Sequence, residues 1–238
     1  MTSIQHNIEQ ITSQIEAIKQ KCHRTQDIVQ LLAVSKTKPV EAILEAANAG
    51  QRAFGENYVQ EGSEQVAYFA SQHHELELEW PLIGPIQSNQ SRYVAENFHW
   101  VHSVNKAKLA QRLNDQRPEG LPPLQVLIQV NTSGEISKSG INDNEIFSLA
   151  ELISSLPNLT LRGLMSIPAQ TTNYEEQLSA FGELANLQQS LKNRFSNQKI
   201  DTLSMGMRCD MQAAIESGTT MVRIGAAIFG QRDYSNKQ

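Results

Sequence analysis

The chain has little of what defines several common protein classes. Its 238 residues include two cysteines, Cys22 and Cys209, far apart and in no metal-ligand spacing. That argues against a disulfide framework and against a zinc site. No apolar run is long enough to span a bilayer, and the opening MTSIQHNIEQ is polar from the start. A protein without signal peptide or membrane segment, in the reduced cytoplasm, is the expectation. Positive charge is scarce as well: 20 Lys and Arg against 25 Asp and Glu leave a formal charge of -5. No basic face for nucleic acid is expected from that balance. No Pro/Gly/Ser-rich linker, charge block or solenoid-length repeat divides the chain, and no G-x-G-x-x-G follows an apolar run. The adjacent His73 and His74 do not face one another on a helix and have no evident third ligand, so they read as surface residues.

What is present is an alternation of short apolar runs with longer amphipathic segments. Residues 3–22 place Ile4, Ile8, Ile11, Ile15 and Ile18 at helical spacing, which predicts one amphipathic helix. Strands are then predicted at 28–34, 52–54, 79–83, 100–104, 124–130, 159–167, 202–205 and 221–224. The intervening helices are predicted at 40–49, 58–70, 91–97, 106–114, 144–155, 174–194 and 211–217. Eight strands alternating with helices imply parallel pairing through right-handed crossovers. The length suits a barrel of about 250 residues. The expectation is an α/β protein: a single TIM (β/α)8 barrel domain over residues 1–238, with an extra N-terminal helix. A doubly wound open sheet is the competing arrangement.

Chemistry in such a barrel sits at the C-terminal ends of the strands. The first strand delivers Lys36, in "LLAVSKTKP", with Lys38 beside a proline and read as loop charge. The seventh ends in Gly206-Met207-Arg208, and the eighth carries Arg223 just before Gly225. Loops after strands seven and eight of a barrel often hold a phosphate. Gly206 and Gly225 suit close backbone approach to such a group, although two isolated glycines serve equally to relieve turns. A lysine in an apolar mouth beside a phosphate site has the makings of a Schiff base with pyridoxal phosphate (PLP). Arg223 could face the pyridine nitrogen. From spacing alone, Lys36 as a solvated loop residue and Arg223 as a rim ion pair remain equally open. Lys138 is a further candidate cation for phosphate, or an ordinary loop lysine.

At these residues the chain resembles the pyridoxal phosphate homeostasis proteins (the YggS/PROSC family). The resemblance is carried by "LLAVSKTKP", "AGQRAFGENYVQE", "IGPIQSN", "LNDQRP", "RGLMSIP" and "VRIGAAIFG", ordered along nearly the whole chain. It implies a barrel like that of bacterial alanine racemase, with PLP carried as a Schiff base on Lys36. It implies also that Arg223 lies near the pyridine nitrogen, Asn57 in the ring pocket and Met165 packed near the cofactor. Gly206, Met207, Arg208, Gly225 and Ala226 then fall in the two phosphate loops. The chain departs from the resemblance at four positions. Arg208 and Ala226 stand where the family usually has serine and threonine, and Pro81 and Gln90 where it commonly has histidine and lysine. The four departures are expected around one mouth, and the first two remove hydroxyl donors.

The resemblance implies a non-enzymatic PLP carrier in vitamin B6 homeostasis, with PLP-dependent apo-enzymes as prospective recipients. The alternative is a small PLP enzyme such as an amino-acid racemase, which needs acid/base groups on both faces of the substrate. Tyr58, Tyr93, Tyr174 and Tyr234 are the tyrosines that could supply the second base, and nothing in the sequence singles one out. A third reading, prompted by the four departures, is an interaction protein that no longer binds the cofactor. The racemase's dimerising second domain has no counterpart here, so a monomer is expected.

Overall fold

The computed structural model describes residues 3–132 and 143–230. The chain opens with α1 (Ile4–Lys21). Ser3 caps it by accepting the His6 N–H at 3.1 Å, and Lys19 and Lys21 face its C-terminal dipole. Alternation follows: β1 (Gln30–Val34), α2 (Val40–Asn48), β2 (Phe54–Gly55), α3 (Val59–Gln72), β3 (Pro81–Leu82), α4 (Ser91–Asn97), β4 (Trp100–Val104) and α5 (Ala107–Gln116). The second half runs β5 (Leu124–Val130), α6 (Asp143–Ser155), β6 (Leu159–Ser166), α7 (Tyr174–Arg194), β7 (Thr202–Ser204), α8 (Met211–Glu216), β8 (Met221–Ile224) and α9 (Ala226–Phe229).

The strands pair in parallel in the order β2-β1-β8-β7-β6-β5-β4-β3. The two ends of that order meet. Parallel bridges link Ala53 to Glu79 and Glu56 to Leu82. Phe54 donates to the Glu79 carbonyl at 2.9 Å, and Ile83 to that of Glu56 at 2.8 Å. The ring of eight parallel strands with helices outside is a TIM barrel, and the open sheet is excluded.

Strand alternation sorts side chains into two layers. Leu124, Val126, Ile128 and Val130 of β5 join the large core shared with the helices. Leu32, Ala53, Ile83 and Met221 form a smaller separate cluster, with Val34 packed on it. The extra helix covers the seam between the first and last units. α1 packs on α2, α8 and α9 through Ile8, Ile11 and Ile15. Arg24 then donates to the carbonyls of Ile215 at 2.7 Å and Thr219 at 3.0 Å.

The boundaries differ most at β2 and β3, expected over 52–54 and 79–83 and found with two residues each. Their backbones still pair as isolated bridges, and Pro81 fits because its carbonyl accepts the Glu56 N–H at 3.0 Å while its ring nitrogen has nothing to donate. The four-residue α9 and the 3-10 turns His74–Leu76 and Ser88–Gln90 were not expected. His73 and His74 close α3 on the surface, and no group of metal-ligating side chains occurs among the described residues. None of the described helices is long and apolar enough to cross a membrane.

Candidate functional site

The β1 strand delivers its lysine through a tight turn. Lys38 N–H returns to the Ser35 carbonyl at 3.1 Å, so Lys36 and Thr37 are the turn's central residues. Thr37 takes a positive φ of 62°. The turn puts Lys36, half-buried, on the wall of a cavity of about 210 Å³ shared with Lys38, Met207, Arg223, Gly225 and Ala226. The cavity is smaller than the ~300 Å³ at which drug-sized pockets begin, which suits a small ligand. Lys38, read from sequence as loop charge, is thus part of the same wall, its Nζ 3.5 Å from the Gly230 carbonyl.

Arg223 comes from β8, hydrogen-bonded beside β1, and is only 4% exposed. Its Nη1 donates to the Ser204 carbonyl at 3.2 Å and to Ser204 Oγ at 2.9 Å, and its Nη2 to the Ser166 carbonyl at 2.8 Å. Those anchors fix the fork and leave further guanidinium donors for a ligand. Burial pulls its pKa down to about 10, partly opposed by Asp210. The group therefore stays cationic at neutral pH. His102 on β4 is fully buried and neutral, its pKa pushed down to about 3, first by burial and then by the Arg223 charge.

The expected site residues are distributed around this cavity. Lys36, Met207, Arg223, Gly225 and Ala226 line it together. Gly206 stands one residue before, buried, its carbonyl accepting the Arg223 N–H at 2.9 Å. Its φ of +103° and an Ala214 Cβ only 2.6 Å from where a side chain would begin both demand glycine, so this residue serves the turn. Met165 is fully buried in β6 directly before Ser166. Asn57 is half-buried after β2, its Oδ1 buried without a partner, as is Ser166 Oγ. Buried polar atoms left unpaired are unusual, and a polar ligand is one way to satisfy them. Gly84 secures Asn57: a Cβ there would lie 2.0 Å from the Asn57 carbonyl oxygen. Arg208 is exposed and is not part of the cavity wall. Lys138 and Tyr234 lie outside the described residues.

The four sequence departures do not cluster at one mouth. Only Ala226 lines the Lys36 cavity. Gln90 lines a larger groove of about 470 Å³ between α3 and α4, with Gln60, Glu64, Asn89 and Tyr93. That groove has no cation in its wall to meet a phosphate, and Glu64 would repel one. Tyr58 and Tyr93 are exposed, and Tyr174 hydrogen-bonds Glu216 beside α8. No described tyrosine lines the cavity.

Sequence reasoning missed three contributors. Ser204 and Ser166 anchor Arg223 through contacts that no apolar pattern reports. Glu56 is fully buried, its Oε1 accepting the Ser35 hydroxyl at 2.7 Å and its Oε2 unpartnered. Burial raises its pKa to about 7, with Ser35 opposing and Glu61 adding to the rise. A carboxyl directly behind the lysine turn is thus poised to titrate near neutrality.

The sequence profile of the alanine racemase N-terminal domain matches residues 6–233. The pyridoxal phosphate homeostasis protein of Vibrio cholerae is 66% identical over 235 residues, covering 99% of each chain. That of Escherichia coli K12 is 53% identical over 240 residues, covering both chains fully. These relatives are named as homeostasis proteins and not as enzymes. The structure of PipY from Synechococcus elongatus with PLP bound superposes with a TM-score of 0.82 at 32% identity, covering 96% of this chain and 100% of that one. The chain belongs to the pyridoxal phosphate homeostasis proteins, within the family defined by the N-terminal domain of alanine racemase.

Proposed function

We propose that this chain binds PLP in the Lys36 cavity, holds it as a Schiff base on Lys36, and works in vitamin B6 homeostasis as a cofactor carrier. The observation that carries the proposal is that a lysine from the end of β1 and a buried, anchored arginine from β8 line one small cavity. PLP supplies an aldehyde that condenses reversibly with a primary amine. The chain's own residues do the rest. Lys36 offers the amine, and Arg223 holds a fixed positive charge near the ring nitrogen, which keeps that nitrogen unprotonated and weakens the ring as an electron sink. Asn57 and Met165 border the ring. The backbone at Gly206-Met207 and Gly225-Ala226 faces the phosphate. Asp210 Oδ1 already accepts the Met207 N–H at 2.7 Å, so the backbone after Gly225 is the better donor. Arg208, next to Met207 in sequence, is the weaker phosphate candidate, being exposed and outside the wall.

The relatives' names and the PLP-bound PipY structure support this reading. A carrier suits a cavity with no described tyrosine as second base, and it makes PLP-dependent apo-enzymes the natural recipients. The chain acts as one barrel domain and as a monomer. Borohydride reduction of the PLP-incubated protein, followed by peptide mass mapping, tests the proposal. A stable pyridoxyl adduct on Lys36 is expected. An adduct confined to other lysines, or none, contradicts it.

A further inference from the structure

Lys36 and Lys38 share one wall, and the residues around Lys36 are held from behind by the β2–α3 unit. Ser35 donates its hydroxyl to Glu56. Thr37 donates its N–H to Glu61 Oε1 at 2.6 Å. Gln65 Nε2 donates to the Lys38 carbonyl at 3.1 Å. Glu61 and Gln65 lie one helical turn apart on α3. The start of that helix is seated by Gly62, whose Cα carries no Cβ that would press on Phe98 at 2.9 Å and on Glu56 at 3.0 Å.

These contacts are not equivalent. Ser35 is already fixed by the barrel, its N–H reaching the Gly55 carbonyl at 3.1 Å, so the Glu56 contact adds to an existing constraint. Thr37 has no such support. A β-branched residue at positive φ is an outlier that persists only where its surroundings hold it. The Glu61 carboxylate takes the amide of that residue, and α3 is a rigid platform from which to do so.

We infer that Glu61 is a positioning residue for Lys36: by accepting the Thr37 N–H it holds the left-handed turn that sets which of the two wall lysines meets an incoming carbonyl. The inference rests on the proposed role of Lys36, and Glu61 itself touches no ligand. It needs only an acceptor oxygen at that place, so Glu61→Gln preserves the function and Glu61→Ala removes it.

The test compares wild type, Glu61→Ala and Glu61→Gln in three readouts, with thermal stability recorded for each. In the protein without added cofactor, trace acetylation with acetic anhydride and fragment-ion mass spectrometry give the ratio of Lys36 to Lys38 labelling. With PLP, borohydride fixation gives the share of adduct on each lysine, and titration gives the affinity. Glu61→Ala is expected to change the labelling ratio, move adduct from Lys36 toward Lys38 and weaken PLP binding by about tenfold, as small misplacements of reacting groups do. Glu61→Gln is expected to match wild type in all three. A wild-type labelling ratio in Glu61→Ala overturns the inference, and so does Glu61→Gln behaving like Glu61→Ala. A changed ratio with no adduct even in wild type supports the positioning role and overturns the PLP reading instead.

Discussion

Ser35 and Glu56 are joined by a fully buried hydrogen bond of 2.7 Å, from hydroxyl to carboxylate, one residue before the lysine that lines the cavity. The second oxygen of that carboxylate has no partner. The end of β1 and the end of β2 are thus tied by a group whose charge is held out of water.

Burial, the main cause, raises the Glu56 pKa from 4.5 to about 7. Between those values the folded protein retains a proton that the unfolded chain has released. Stability contributed by this group is therefore fully present below about pH 4.5 and is lost as pH rises through 7. The loss is up to about 3 kcal/mol at roughly 1.4 kcal/mol per unit. Urea unfolding of wild type and Glu56→Gln at pH 5 and pH 8 checks it. Glu56→Gln is expected to gain stability relative to wild type at the higher pH. A difference between the two proteins that does not change with pH would refute the assignment.

Gly84 and Asn57 approach so closely that a methyl group cannot enter. With a Cβ placed 2.0 Å from a backbone oxygen, Gly84→Ala must push the loops after β2 and β3 apart. A destabilisation on the order of 3 kcal/mol is expected, at the upper end of overpacking effects, together with weaker PLP binding through displaced Asn57. Gly182, in the interior of α7 with open space around its Cα, provides the contrast: Gly182→Ala is expected to stabilise the fold by about 1 kcal/mol in denaturant unfolding and to leave cofactor titration unchanged.

Ala226 lines the cavity where the resembled pattern carries a hydroxyl, and Arg208 does not line it. Ala226→Thr is therefore expected to tighten PLP binding about tenfold, as a hydrogen bond to a charged group contributes roughly 1.5–3 kcal/mol. Arg208→Ser is expected to change affinity much less. Titration by fluorescence quenching orders the two, and the reverse order would place the phosphate on the β7 side.

Lys36 and Arg223 were legible as candidates because each interrupts an apolar strand end with a charge, and the structure brings both to one cavity wall. The ring of strands was legible through the repeated alternation, even though β2 and β3 proved to be two residues long. Their shortness depends on which backbone groups meet, and residue type says little about that. The Ser35–Glu56 and Thr37–Glu61 contacts were invisible for the same reason: they join residues 21 and 24 positions apart through hydrogen bonds that leave no periodic trace. Gln90 was misplaced because closeness in sequence to the third strand end does not say toward which side of the loop a residue falls.

The central claim is that Lys36 carries the cofactor, and the visible absorption spectrum tests it most directly. Wild-type protein incubated with PLP is expected to show a Schiff-base band that borohydride abolishes, and Lys36→Ala to lack it while remaining folded. No band in wild type at saturating PLP, or the same band in Lys36→Ala, would contradict the account.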